Sequence, residues 1–247
     1  MKLRTLASDK EMSNREVGTE LLVNSPIPKN EKVSQVGVYQ KRQELSKVLF
    51  FNEIYQQIKD VHGVVMEFGV RWGQNLTTLS NLRGIYEPYN YNRKIIGFDT
   101  FEGFLGINDK DGNDDSIEKG AFSVTSGYED HLDQVMRFHQ NESPLNHIDK
   151  FEICKGDASI ELEAYLKRNP QTMIAFAYFD FDIYEPTLKC LELIKDHLVN
   201  GAVIGFDELN DPGFPGETFA LKEVFGLDRF RVQRNKFSGM QSYLVYE

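Results

Sequence analysis

Cysteine is almost missing from this 247-residue chain. Only Cys154 and Cys190 occur, and neither sits in a CxxC or CxxxH grouping. Thiolate metal centres and disulfide-rich scaffolds are therefore excluded, and the two thiols read as inert core residues. Long apolar runs are missing as well: nothing reaches the roughly 18 residues of a membrane span. The opening MKLRTLASDKEMSNREV lacks the apolar segment of a signal peptide, so a cytoplasmic protein without a membrane partner is expected. Positive charge is in deficit, with 28 basic against 38 acidic residues and a net charge of -10. That balance opposes wrapping a polyphosphate backbone, and no nucleic-acid partner is expected. The phosphate-cradling GxxxxGK[ST] loop and the GxSxG nucleophile elbow are both absent. The five histidines have no serine or cysteine partner in such a setting, which leaves no signal for a hydrolase of that type.

What is present is a repeating texture. Residues 1–38 are polar and turn-rich, an arm that reads as a lid, an interface segment or a frayed end. A helix follows, with Leu45, Val48, Leu49, Phe51, Ile54, Tyr55 and Ile58 spaced to make one apolar face. From residue 63 onward, short β-branched or aromatic runs alternate with helical stretches. The expected strands are 64–68, 94–98, 151–154, 173–179 and 202–206; the expected helices between them are 74–85, 128–139, 160–167 and 186–198. Strand, helix, strand alternation predicts an α/β fold with a mostly parallel sheet covered on both faces. The tail predicts a helix over 218–225 and two edge strands, 230–234 and 242–246, joined by a turn at Ser238-Gly239. Two parts are expected: residues 1–60 as arm and covering helix, and residues 61–247 as the main domain, with a lid-like insertion near 104–127. That insertion is acidic and aperiodic and reads as a solvated loop. Its Asp109, Asp111 and Asn113 start a calcium-loop pattern, which fails because Asp114 stands where glycine is required and Gly120 where the closing acid is.

Chemistry gathers where the expected strands end. After the first, Glu67 closes an apolar run, Gly69 permits a tight turn, and Gly73 begins a helix whose first N–H groups are left free toward a ligand. Arg71 and Trp72 fill the turn where a nicotinamide dinucleotide fingerprint needs small residues. Asp99, directly after the second strand, suits a ribose diol. Asp157, beyond the third, is placed to accept from an adenine amino group. The fourth and fifth strands end in YFDFDIYEPT and VIGFDELND. Parallel strands lie roughly 4.8 Å apart, so Asp180, Asp182, Asp207 and Glu208 can converge. Such a cluster needs a cation or takes up protons, and oxygen-only ligands favour magnesium or manganese. A solvated acidic rim is the alternative reading. For the whole chain, a nicotinamide-dependent oxidoreductase and a non-enzymatic nucleotide-binding protein are open readings.

The ordered series VVMEFGVRWGQN, IIGFDTFEGF, YFDFDIYEPTLKCLELIKDHLVNGAVIGFDELN and FPGETFALKEVFG, spread over residues 60–225, resembles the macrocin O-methyltransferase family. These are class I S-adenosylmethionine-dependent methyltransferases that act on sugar hydroxyls in antibiotic biosynthesis. The resemblance implies a Rossmann-like seven-stranded sheet of order 3-2-1-4-5-7-6 with the last strand antiparallel. It implies S-adenosylmethionine over Glu67, Gly69 and Gly73, its ribose on Asp99 and its adenine near Asp157. It also implies magnesium on Asp180, Asp207 and Glu208, with Asp182 as general base toward a small-molecule hydroxyl acceptor. Relatives commonly carry Asp-Asp where this chain has Asp207-Glu208, a longer arm on the second ligand. Exposed aromatics in the N-terminal helix suggest a homodimer.

Overall fold

Val64–Phe68 (β1) is buried along its whole length, as a strand covered by helices on both faces must be. In the computed structural model, which describes residues 7–247, β1 lies centrally among Ile95–Asp99 (β2), Phe151–Lys155 (β3), Ile174–Phe179 (β4), Leu198–Phe206 (β5), Gln233–Arg234 (β6) and Ser242–Val245 (β7). The seven strands form one sheet of order β3-β2-β1-β4-β5-β7-β6. Strands β1 to β5 pair in parallel, whereas β7 runs antiparallel to both its neighbours. This is the architecture that the resemblance implies.

Alternate side chains of each strand feed two cores. On one face Val64, Met66 and Phe68 of β1 pack with Leu162 of Ala158–Arg168 (α6), Leu191 of Tyr184–Ile194 (α7) and Leu221 of Gly216–Val224 (α8). On the other, Val65 packs with Phe51 and Ile54 of Arg42–Ile58 (α3), Leu79 of Gln74–Tyr86 (α4) and Met136 of Tyr128–Asn141 (α5). Period-two strands and 3.6-period helices thus agree about what is inside.

Three sequence expectations are corrected by packing. Within α3 the buried stripe is Phe50, Phe51, Ile54, Tyr55 and Ile58; Leu45 and Leu49 are exposed, so the face is rotated from the expected one. The stretch expected as helix over 186–198 is cut short: α7 ends at Ile194, a 3-10 turn follows, and β5 begins at Leu198. The segment after Gly103 is not a solvated loop. Asp111 and Ser116 are each only 1 % exposed, the Phe104 N–H donates to Ala121 O and the Gly120 N–H to Phe104 O, and Phe104, Ala121 and Ile183 form a small core of their own. Asp111 holds the segment down by accepting from the Tyr184 N–H at the start of α7. In the arm, an exposed helix spans Asp9–Val23 (α1), closed by a reciprocal Ser8–Glu11 cap; a single turn at Lys29–Lys32 (α2) follows it.

Candidate active site

Backbone bonds continue the parallel ladder past the strand ends and so fix where the acids stand. The Asp180 N–H donates to Phe68 O, and the Asp207 N–H donates to Phe179 O. This sets Asp180 beside the end of β1 and Asp207 beside the end of β4. Gly69 makes the first approach possible: a Cβ there would lie 2.0 Å from Asp180 O, and its φ of +94° lies in the left-handed region. Beyond these ends lies a cavity of about 620 Å³, within the size range of small-molecule and cofactor sites.

Gly69, Asp99, Asp157, Asp180, Asp182, Asp207 and Glu208 all line that one cavity. Glu67 and Gly73 do not. Glu67 is fully buried and neither of its carboxylate oxygens has a hydrogen-bond partner; burial first, and the Asp180 charge second, push its pKa well up. Gly73, at φ +78°, opens α4 and lies against Leu132. None of the five histidines lines the cavity. Trp72 lines the cavity and packs edge-on against Tyr128, with ring centroids 4.7 Å apart.

On the β2–β3 side, each Asp99 oxygen accepts one backbone N–H, Oδ2 from Arg71 at 2.7 Å and Oδ1 from Phe101 at 2.6 Å. The carboxylate is thereby aimed while its remaining lone pairs stay open to a diol. Asp157 spends Oδ1 on capping α6 through the Ser159 N–H and hydroxyl.

On the β4–β5 side, one ligand atom each from Asp180, Asp207 and Glu208 falls within 4.8 Å of the others. Asp207 and Asp182 are 5 % and 9 % exposed, so this is not a solvated rim. Lys47, arriving from α3, places Nζ 3.3 Å from Asp180 Oδ2 and 3.1 Å from Asp207 Oδ1. Burial acts against ionising Asp207, but Lys47, together with hydrogen bonds from Tyr178 and Gln241, holds it well below the usual carboxylate range. Burial and the Asp207 charge push Asp180 up to about 7. Asp182 is raised to about 6, chiefly by burial, and stands at φ +63° between β4 and α7. That left-handed conformation is costly for most residues and tolerated by Asp. The donor set is hard oxygen throughout, and Glu208 Oε2 is buried without a partner, so these residues fit a magnesium-like ion.

Comparison with solved structures decides the family. Over 100 % of this chain and 98 % of the other, the fold superposes on the calicheamicin methyltransferase CalS11 with a TM-score of 0.95 and 39 % sequence identity. The chain belongs to the class I S-adenosylmethionine-dependent O-methyltransferases. A second match, 37 % identical over 98 % of this chain and 96 % of the other at a TM-score of 0.86, is the apo structure of CalS11, described as a TDP-rhamnose 3'-O-methyltransferase of calicheamicin biosynthesis. The O-methyltransferase NovP shares the fold at a TM-score of 0.56 and 16 % identity, over 78 % of this chain and 77 % of its own. No family model and no curated protein sequence matches the chain. This methyltransferase uses S-adenosylmethionine and methylates a small-molecule hydroxyl. Among its described residues no helix is long and apolar enough to cross a membrane.

Two residues that contact the carboxylate cluster or its loops escape a motif reading. Lys47 is one turn before Phe50 and Phe51 on the buried stripe of α3, where the spacing calls for an apolar residue. Glu217 is fully buried at the start of α8, where Oε1 accepts from the Phe181 N–H at 3.1 Å and Oε2 from the Glu208 N–H at 3.4 Å. In each case a charged residue interrupting a buried periodicity is the signal that could have found it.

Proposed function

We propose that this methyltransferase transfers the S-methyl group of S-adenosylmethionine to a sugar hydroxyl, on a sugar nucleotide or glycosylated natural product, with magnesium at Asp180, Asp207 and Glu208 and with Asp182 as general base. The convergence of Asp180, Asp207 and Glu208 in the cavity that Asp182 and Asp99 also line is the observation that carries the reading. The sugar class rests on the acceptor named for the CalS11 structure. The bound cofactor supplies an already activated methyl carbon, and a divalent cation on the cluster supplies positive charge for the developing alkoxide.

What the chain's own residues do follows from their placement. Asp99 takes the ribose hydroxyls with both oxygens pre-aimed by backbone N–H groups. Asp157 stands nearer the adenine end, beyond β3. Asp182 receives the acceptor's proton: burial raises its pKa, which makes it a stronger base than a solvated aspartate. Phe104 and Phe122 of the insertion line the cavity and limit water around that transfer.

Paired variants test the division of labour. Asp182→Asn is expected to keep magnesium and cofactor binding while losing about two to four orders of magnitude in single-turnover rate. Asp180→Asn is expected to weaken magnesium binding, with partial rescue by excess metal. Near-normal turnover by folded Asp182→Asn excludes the base assignment.

A further inference from the structure

Lys47 reaches the carboxylate cluster from outside the strand-end motifs. Its helix is fixed by Phe50, Phe51 and Ile54, all at most 1 % exposed, so its backbone cannot follow a change at the cluster. Its side chain, at 23 % exposure, keeps a route to solvent. The ammonium lies within 3.3 Å of oxygens on two of the three residues that could hold a metal. Asp180 Oδ2 already accepts from Asn75 Nδ2 at 3.2 Å. Asp207 Oδ1 already accepts from Tyr178 and Gln241. With Lys47 added, both lone pairs of Asp180 Oδ2 are taken, so a metal reaching that oxygen has to displace a donor. A divalent ion gathered by the same carboxylates would also lie a few ångströms from a like charge, in surroundings where repulsion is poorly screened.

We propose that Lys47 is the resident cation of the carboxylate cluster and competes with divalent metal for Asp180 and Asp207, its side chain withdrawing toward solvent when metal binds. The proposal rests on the magnesium reading above and deepens it. The lysine keeps the buried acids compensated when no metal is bound, and metal affinity is set by the cost of evicting it.

Calorimetric titration with Mn²⁺ compares wild type with Lys47→Met. Competition predicts that the variant binds Mn²⁺ at least about tenfold more tightly, and that Mn²⁺ raises its melting temperature more than it raises that of wild type. Equal or weaker binding by the variant overturns the competition while leaving the metal site intact. Failure of both proteins to bind Mn²⁺ overturns the metal site and the competition together. The wild-type protein provides a second reading that does not depend on the variant's folding. Amine acetylation read by peptide mass spectrometry is expected to increase several-fold at Lys47 on saturation with Mn²⁺, and labelling that stays unchanged contradicts the withdrawal.

Discussion

Glu67 shows how one residue can satisfy a motif and still lie outside the cavity wall. Sequence places it under the cofactor, at the end of β1; the structure keeps it out of the cavity wall, fully buried and without a hydrogen-bond partner. Its pKa is raised well above the ordinary glutamate value of 4.5. Between about pH 4.5 and the raised folded value, the folded protein therefore holds a proton that the unfolded chain has released, and stability falls as pH rises through that window. Glu67→Gln carries no such proton. It is expected to match wild type near pH 4.5 and to exceed it at pH 8 by at least about 1.4 kcal/mol, the equivalent of one pKa unit. Urea unfolding at the two pH values measures this, and a wild-type-to-variant difference independent of pH would contradict the buried, protonated carboxyl. Asp99, Asp180 and Asp207 were legible one by one because each directly follows a short apolar strand. Lys47 was not, because its only mark is a charge that breaks the apolar spacing of α3, far in sequence from the strand-end motifs.

At the scale of elements, α8 braces the reacting loops. Glu217 in its first turn accepts backbone N–H groups from Phe181 and Glu208, and so ties the loop after β4 to the loop after β5. Gly216 lets that turn come close: a Cβ there would stand 2.5 Å from Tyr184 N and 2.9 Å from Asp182 O. Neither contact can yield without moving backbone, so Gly216→Ala is expected to cost about 1–3 kcal/mol in stability. The displaced Asp182 should also slow transfer more than it weakens cofactor binding. Chemical denaturation together with cofactor titration checks both, and a variant of wild-type stability would mean that the helix does not press on the loop. Strands were read more faithfully than helix ends. Apolar runs mark β1 to β5, but the junction of α7 and β5 depends on tertiary contacts that override local propensity. The rotated face of α3 has the same origin, since Phe50 rather than Leu49 meets Tyr178 and Tyr243. The polarity of the acidic insertion concealed its order, because Asp111 is spent on the Tyr184 N–H rather than on water.

For the whole molecule, strand alternation made the parallel sheet legible, and the motif series supplied the strand order that the structure shows. The cavity has two sides: Gly69, Asp99 and Asp157 beyond β1 to β3 line one, and the acid cluster beyond β4 and β5 lines the other. In a chain of net charge -10, four carboxylates at the ends of β4 and β5 line one cavity, which is what the proposed cation and base would require. The most direct test supplies the purified protein with methyl-labelled S-adenosylmethionine and a deoxysugar nucleotide, before and after chelation, and follows the acceptor by mass spectrometry. The account predicts one labelled methyl group on a sugar oxygen, lost on chelation and restored by added magnesium. Undiminished transfer by demonstrably metal-free protein, or a label on nitrogen or carbon rather than oxygen, would contradict it.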